Sequence, residues 1–149
     1  MIGFDHLGNL GRLGNQMFEF AALRGIAAHH GYDICIPPAE HEGIENYSLH
    51  DCFKLDHIPT RFIATERYAQ EPHFHFYKEL FEGCPDNVSL YGFFQTEKYF
   101  ANATDIVRKD FTFHDNILQP CADFMSQYAD QEPIMLHVRR GDANLTDPR

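Results

Sequence analysis

A glycine-rich bend near the start of the chain carries side chains that suit a polar ligand. Gly8, Gly11 and Gly14 are spaced by three, which fits neither the dinucleotide fingerprint G-x-G-x-x-G nor the phosphate-binding P-loop. Gly14 lets a ligand approach the backbone, while Asn15 and Gln16 add amide donors beside the free N–H groups at the start of a helix. The combination favours a sugar hydroxyl or a phosphate, whereas a plain turn is the alternative explanation for any single glycine.

A second set of candidate residues follows an apolar run near the end of the chain, in the sequence PIMLHVRRGD. Arg139 and Arg140 are adjacent, so on an extended strand they point to opposite faces and only one can enter a given cleft. A guanidinium matches phosphate oxygens and stays charged while a diphosphate leaving group builds up negative charge. His137 shares a face with Arg139, where it could assist the leaving group or hold the arginine. A pair of ordinary surface arginines is the alternative.

Two further groups of side chains are compatible with ligand binding but have a structural explanation. His73 and His75 share a face of HFHF and could bind a metal, yet no third ligand stands at a recognisable spacing. We therefore interpret both as structural and expect no metal site. The stretch YGFFQTEKYF is rich in aromatic residues, and core packing explains most of them. Sugar stacking stays open for Tyr91 or Tyr99.

The elements that would position these residues follow an α/β pattern. A short strand is predicted at MIGFDH, then a helix whose apolar residues recur from Met17 to Ala28 and stop at Gly31, and then a strand at YDICIPP. Together they predict a βαβ unit with a parallel sheet flanked by helices. Ligands bind at the carboxyl ends of the strands in such sheets.

The middle and the end of the chain give weaker patterns. VSLYGFF predicts a strand, with weaker strand predictions at RFIAT and HFHFY and a helical turn at LHDCF. TEKYFANATDIVRKDF predicts a helix with Thr96 as its N-cap, and a second helix is predicted over about residues 117–129, with Pro120 in its first turn. The apolar run 134–138 predicts a strand that leads into the two arginines.

Composition disfavours several classes of function. Asp and Glu number 22 against 12 Lys and Arg, and the net charge of −10 would repel the phosphates of a nucleic acid. The four cysteines make no C-x-x-C pair, so we expect reduced and mostly buried thiols. The first residues lack the pattern of a secretory signal and no stretch approaches a membrane span. We therefore expect a cytoplasmic protein that associates with membranes peripherally, if at all.

Three sequence blocks in order, GRLGNQMFEFA, LYGFFQTEKYF and HVRRGD, resemble the signatures of glycosyltransferase family eleven, the alpha-1,2-fucosyltransferases. The first block is also similar to the corresponding loop of protein O-fucosyltransferases. The resemblance implies a GT-B architecture with two Rossmann-like domains. It also implies inverting transfer of fucose from GDP-fucose to a galactoside hydroxyl of a glycan acceptor, without an obligatory metal or any other cofactor.

The resemblance further implies roles for individual residues. In such enzymes an arginine of the last block contacts the diphosphate, which points to Arg139 or Arg140, and His137 and Asp142 fall on the same motif. The first block is implied to face donor and acceptor. Its implied substrate-binding residues are Arg12, Gly14, Asn15 and Gln16. The general base stays open among Asp5, Glu97 and Asp142.

The resemblance covers only part of such an enzyme, because family members are considerably longer and the part after the arginine motif supplies most of the guanosine pocket. Residues 1–132 are expected to form a Rossmann-like, acceptor-side domain. Residues 133–149 are expected to be the first strand and arginine motif of an incomplete donor-binding domain. The expected function is fucosyl transfer by a complete enzyme of which this chain is a fragment. The alternative is a non-catalytic carbohydrate-binding or interaction module derived from such an enzyme.

Overall fold

A computed structural model of the protein describes residues 1–40 and 46–138. The chain forms two compact units, Met1–Asp115 and Asn116–Arg149. The expected domain boundary between residues 132 and 133 stays a prediction. Within the described ranges, no helix has the length and apolar character that crossing a bilayer requires.

The first unit is built on a four-stranded parallel sheet. Gly3 pairs with Cys35 on one side and with Ser89 on the other. The second strand therefore lies on one side of the first strand, and the later strands lie on the other side. The direction of strand order changes at the first strand, and α/β sheets bind ligands at such switch points. The predicted βαβ unit and the Rossmann-like α/β class are confirmed. The strands are β1 (Ile2–Gly3), β2 (Ile34–Cys35), β3 (Tyr68–Gln70) and β4 (Ser89–Tyr91), in the order β2-β1-β4-β3.

Helix α1 (Leu13–His30) connects β1 to β2 and covers one face of the sheet. Its side chains Phe20, Leu23 and Ile26 are fully buried in the main apolar core. The helix ends at Gly31, whose φ of 68° is left-handed and whose N–H donates to the carbonyl of Ala27. This is the glycine cap expected where an apolar helical pattern stops.

The remaining helices of the described chain are short. The predicted turn at LHDCF is confirmed as α2, whereas the helix predicted from Thr96 is broken into two 3-10 turns before α4 begins. Thr96 does accept a hydrogen bond from the N–H of Lys98, but close packing of the 3-10 turns against α1 overrides the helical pattern. The segments are α2 (Leu49–Cys52), α3 (Lys78–Gly83), the 3-10 turns Glu97–Tyr99 and Ala101–Ala103, α4 (Thr104–Asp110) and α5 (Asp115–Ser126).

Two predicted strands are wrong, and β3 lies between them. Residues 61–65 form no strand; Ile63 instead packs over Gly3, where an added Cβ would lie 3.0 Å from that of Ile63. The RFIAT segment therefore packs on the sheet through Ile63 and does not add a strand to it. Residues 73–77 also form no strand. β4 agrees with the strand predicted at VSLYGFF.

The second unit contains most of α5 and the segment that follows it. All residues of α5 are described and none is buried, and the helix ends three residues before the predicted end. Residues 134–138 have no regular secondary structure, and Ile134 is 96% exposed. The predicted strand is therefore not formed, since a parallel strand needs neighbouring strands and the described part of this unit supplies none.

Candidate functional site

The chain that leaves β1 is hydrogen-bonded to the first residue of β4 and to the segment that precedes β3. The N–H of Asp5 donates to the hydroxyl of Ser89 (2.9 Å), and the carboxylate of Asp5 accepts from the N–H of Ile63 (2.9 Å). Asp5 thereby fixes the position of the chain as it enters the glycine-rich bend.

The glycine-rich bend adopts the conformation that its sequence predicts. Gly8 and Gly11 have φ angles of 97° and 77°, which L side chains rarely adopt. Gly14 differs, because it lies in the first turn of α1 and an added Cβ would meet no described atom within 4 Å. Gly14 is therefore exposed, and its role in ligand binding stays a prediction.

The two amide side chains after Gly14 lie inside α1 rather than before it, since the helix begins at Leu13. Asn15 is half-buried, and its side-chain oxygen accepts a hydrogen bond from Gln95 (2.7 Å). This contact joins the first and second sequence blocks. Arg12 immediately precedes the helix and is exposed.

Gln16 has a different place from the one expected. It is fully buried; its amide donates to the carbonyl of Asn46, and its oxygen accepts from the N–H of Ser48 (3.0 Å). The structure therefore places Gln16 in the core, where it fixes the segment around residues 46–48, and not in the exposed position expected of a ligand-binding amide.

Glu19, one turn further along α1, is a buried acid that the sequence analysis missed. It is fully buried, and within the described chain neither carboxylate oxygen has a hydrogen-bond partner. Burial raises the pKa of this carboxyl to about 8. Its spacing from Gln16 and Leu23 on the buried helix face was a signal that could have found it.

This carboxyl makes the stability of the protein depend on pH. Because the pKa of Glu19 rises from 4.5 to about 8 on folding, the folded state binds the proton more tightly than the unfolded chain, and stability is lost as pH rises through this range. We expect Glu19→Gln to reduce the loss of unfolding free energy between pH 5 and pH 8.5 by up to about 4 kcal/mol. Urea unfolding of both proteins at a series of pH values measures this. Equal pH dependence in the two would contradict it, and Glu97→Gln, on the exposed surface, is the control.

Glu71 joins the carboxyl ends of β3 and β4. Its Oε2 accepts hydrogen bonds from the N–H groups of Phe93 (3.1 Å) and Phe94 (2.8 Å). Gly92 permits this approach, with a φ of 146° and an added Cβ that would lie only 2.6 Å from that of Glu71. The carboxylate of Glu71 also interacts with the buried hydroxyl of Tyr99. Recognition of β3 in the sequence would have placed this acid at a strand's carboxyl end.

Two neighbouring cavities open beside Glu71, and we call them together the aromatic trough. They have volumes of about 210 and 390 Å³ and share Gln70 and Tyr91. The ring of Tyr91 lies 5.2 Å from that of His6 and 6.4 Å from that of Tyr68, between centroids. The described lining residues are His6, Leu10, Tyr68, Gln70, Glu71, Pro72, His73, Phe74, Tyr91, Gly92 and Phe93.

The two tyrosines for which sugar stacking was left open differ in their exposure to solvent. Tyr91 is half-buried and lines the trough, so its ring faces open space. Tyr99 is fully buried, and its hydroxyl accepts a hydrogen bond from the N–H of Tyr77 (2.9 Å). Tyr99 is therefore a core residue, and a sugar-stacking role for it is wrong.

Of the expected catalytic residues, only His137 lies within the described chain, where it is exposed in the segment after α5. Arg139, Arg140 and Asp142 lie outside the described residues, and their roles stay predictions.

The described part of the chain offers few side chains that could bind a metal ion or take part in redox chemistry. His73 and His75 are exposed with ring centroids 4.9 Å apart, and no three His, Cys, Asp or Glu side chains of the described residues are grouped to hold a metal ion. All four cysteines are free, as predicted, although Cys121 is exposed.

Comparison with known proteins gives consistent matches. The family model "Glycosyl transferase family 11" matches residues 5–146. Galactoside alpha-(1,2)-fucosyltransferase 2 of Sus scrofa is 28% identical over 142 residues, which cover 89% of this chain and 40% of the relative. Galactoside 2-alpha-L-fucosyltransferase SEC1 of Bos taurus is 28% identical, with coverage of 89% and 37%. The chain thus spans about 40% of the length of the curated relatives it matches. No solved structure matches it.

Proposed function

Since the chain belongs to glycosyl transferase family 11, we propose that it forms the acceptor-side part of an enzyme that transfers L-fucose from GDP-fucose to a galactoside hydroxyl. The observation that carries this proposal is the family match over nearly the whole chain, from residue 5 to residue 146. The relatives named above are galactoside fucosyltransferases, which supports fucose as the transferred sugar, the galactoside as the acceptor and alpha-1,2 as the linkage.

The proposed reaction is a direct displacement with inversion. The acceptor oxygen forms a bond to the anomeric carbon of fucose as the bond from that carbon to the diphosphate oxygen breaks, and GDP leaves with the bonding electrons. The acceptor gives up its proton to a general base, for which Asp5, Glu97 and Asp142 are the candidates. An arginine of the last block stabilises the negative charge on the departing diphosphate. The positive charge that balances the diphosphate comes from this guanidinium, so we propose no metal and no cofactor besides the sugar donor.

The start of α1 supports the proposal, because Gly14 is exposed there and an added Cβ would meet no described atom within 4 Å. In the proposed enzyme a substrate occupies this space. Arg12 and Asn15 lie within two residues of Gly14 at the start of α1, and we propose that they contact the bound substrate. Gln16 contributes indirectly, by fixing the neighbouring segment through Asn46 and Ser48.

Filling the space beside Gly14 is expected to inhibit transfer without unfolding the protein. Gly14→Leu should lower kcat/KM about tenfold or more, because a side chain there displaces the substrate from its reactive position. An added Cβ at Gly83, the last residue of α3, also meets no described atom within 4 Å, so Gly83→Leu is a matched control. Transfer assays and thermal unfolding of both full-length variants test this. Equal activity of the two variants would contradict a substrate beside Gly14.

Calorimetry separates this function from the alternative of a non-catalytic carbohydrate-binding module. Titration of the full-length protein with GDP and, separately, with lactose is expected to show binding of both, because a transferase must hold donor and acceptor together. Binding of lactose without binding of GDP would favour the non-catalytic module. Binding of GDP requires a donor site, which such a module lacks.

A further inference from the structure

We propose that Gln95 is a positioning residue of the transfer reaction, which orients the side-chain amide of Asn15 for its contact with the bound substrate. This inference rests on the proposed function, in which Asn15 contacts the substrate, and it adds a residue of the second sequence block to that site. Three observations carry it: the hydrogen bond between the two amides, the fixed turn that presents Gln95, and the exposure of Gln95 to solvent.

The hydrogen bond joins two segments of the chain that lie eighty positions apart. Nε2 of Gln95 donates to Oδ1 of Asn15 over 2.7 Å. Gly11 lies close to the same amide, because an added Cβ at Gly11 would clash with Nδ2 of Asn15. Since the oxygen of Asn15 faces Gln95, its two amide hydrogens face away from Gln95, and they are donors for a sugar hydroxyl or a phosphate oxygen. The contact with Gln95 therefore determines which hydrogen-bonding group Asn15 offers to a ligand.

The turn that presents Gln95 follows the carboxyl end of β4 and is fixed by its backbone. The N–H of Thr96 donates to the carbonyl of Phe94 (2.7 Å), so Gln95 is the central residue of a three-residue turn. Phe94 has a φ of 50°, a strained conformation for an L side chain that persists only where its surroundings hold it. Glu71 helps to hold it, because its carboxylate accepts a hydrogen bond from the N–H of Phe94 (2.8 Å).

The ring of Phe94 fixes the same turn from the core. It is fully buried and lies edge-on to the rings of Phe4 and Tyr99, with centroid distances of 5.9 and 5.0 Å. Phe4 directly follows β1, so the turn that carries Gln95 packs on the chain that leads into the glycine-rich bend. Strained backbone that is held in this way clusters at functional sites.

The exposure of Gln95 separates a positioning role from a purely structural one. Gln95 is exposed, so core packing does not explain the placement of its side chain. A hydrogen bond between two uncharged amides contributes little to stability, and substitutions at exposed positions usually have small effects on it. Loss of this hydrogen bond would therefore change the orientation of Asn15 and leave the fold intact.

The test is a double-mutant cycle in the full-length protein, measured as kcat/KM for transfer from GDP-fucose to lactose. Gln95→Ala and Asn15→Ala are each expected to lower kcat/KM about fivefold or more, because the amide donor is misplaced or missing. The double variant should be no slower than Asn15→Ala, since Gln95 acts through Asn15. Gln95→Glu keeps the size of the side chain but replaces its donor with an acceptor-only carboxylate, so it should be as slow as Gln95→Ala.

Gln119→Ala is the matched control. Gln119 is also exposed, and its amide donates over 2.7 Å to the carboxylate of Asp123. Its kcat/KM should equal that of the unaltered protein. The Tm of Gln95→Ala and of the control should each lie within about two degrees of the unaltered value. A loss of rate at unchanged Tm is a result that a merely structural role of Gln95 would not give.

The possible results separate this inference from the proposed function. Near-normal kcat/KM of Gln95→Ala would overturn the inference and leave the proposed function in place, and so would losses that multiply in the double variant. If the unaltered protein transfers no fucose, the proposed function fails, and the same cycle is measured by calorimetry with GDP and with lactose. Coupled losses of affinity for either ligand would then support the inference alone, and their absence would overturn it as well.

Discussion

Replacing the arginine that contacts the diphosphate is expected to lower fucose transfer by about a hundredfold or more, the effect typical of a lost charge-stabilising contact. The candidates are Arg139 and Arg140, and on an extended strand only one of them enters the cleft. One of the single variants Arg139→Ala and Arg140→Ala should therefore lose most of its kcat, and the other should lose less. Single-turnover transfer rates of the full-length variants measure this.

The control for this experiment is another cation of the same chain. Arg108 lies on the exposed surface of α4, and Arg108→Ala changes the net charge by the same amount. It should leave transfer almost unchanged, which excludes a general effect of charge. Near-normal transfer by both Arg139→Ala and Arg140→Ala would show that the arginine motif does not stabilise the leaving group.

Replacing Gly25 by alanine is expected to destabilise the protein by more than about 3 kcal/mol, beyond the ordinary cost of overpacking. An added Cβ would lie 2.0 Å from the carbonyl oxygen of Tyr99 and 2.5 Å from the Cα of Phe100. Both atoms belong to the backbone, so no side-chain rotation relieves the clash. Helix α1 and the 3-10 turns would have to move apart. The side chain of Asn102, which donates to the carbonyl of Gly25 (2.9 Å), would lose its partner.

Thermal unfolding of the full-length protein tests this expectation. The Tm of Gly25→Ala should fall by roughly 10 °C or more. Gly83→Ala is the control, because its added Cβ meets no described atom within 4 Å, and its Tm should change by only a degree or two. A Tm of Gly25→Ala equal to that of the control would mean that the close contact between α1 and the 3-10 turns is absent in the protein.

The parts of the fold that could be predicted are those whose signals are local. The apolar repeat of α1 and its glycine cap, the strands on either side of it and the β4 strand all follow from spacing within a few residues. The positive φ angles of Gly8 and Gly11 are likewise what a glycine-rich bend predicts.

The rest depends on contacts between distant segments, which a single sequence does not contain. RFIAT alternates like a strand, yet Ile63 packs on Gly3, sixty positions earlier. The helix expected from Thr96 is interrupted because Gly25 has no side chain, so the backbone of Tyr99 and Phe100 packs directly against α1. The three-residue strand β3 is too short for a periodic signal and is held by its pairing with β4.

In the candidate site, too, the residues with local signals could be predicted and those that depend on distant contacts could not. Gly14 is exposed in the first turn of α1 and Asn15 contacts Gln95 of the second block, while their roles in substrate binding stay predictions. The buried place of Gln16 was not predictable, because its partners Asn46 and Ser48 lie thirty residues away. Glu71 was missed because its importance arises from Phe93 and Phe94 on another strand's end.

Product analysis of the full-length protein tests the central claim most directly. Purified protein is incubated with GDP-fucose and lactose, and the product is identified by mass spectrometry and its linkage by NMR. The proposed function predicts fucosyllactose with fucose alpha-1,2-linked to galactose, formed only when GDP-fucose is the donor. Absence of fucosyl transfer to lactose and to other galactosides by a folded protein that binds neither GDP nor GDP-fucose would contradict it.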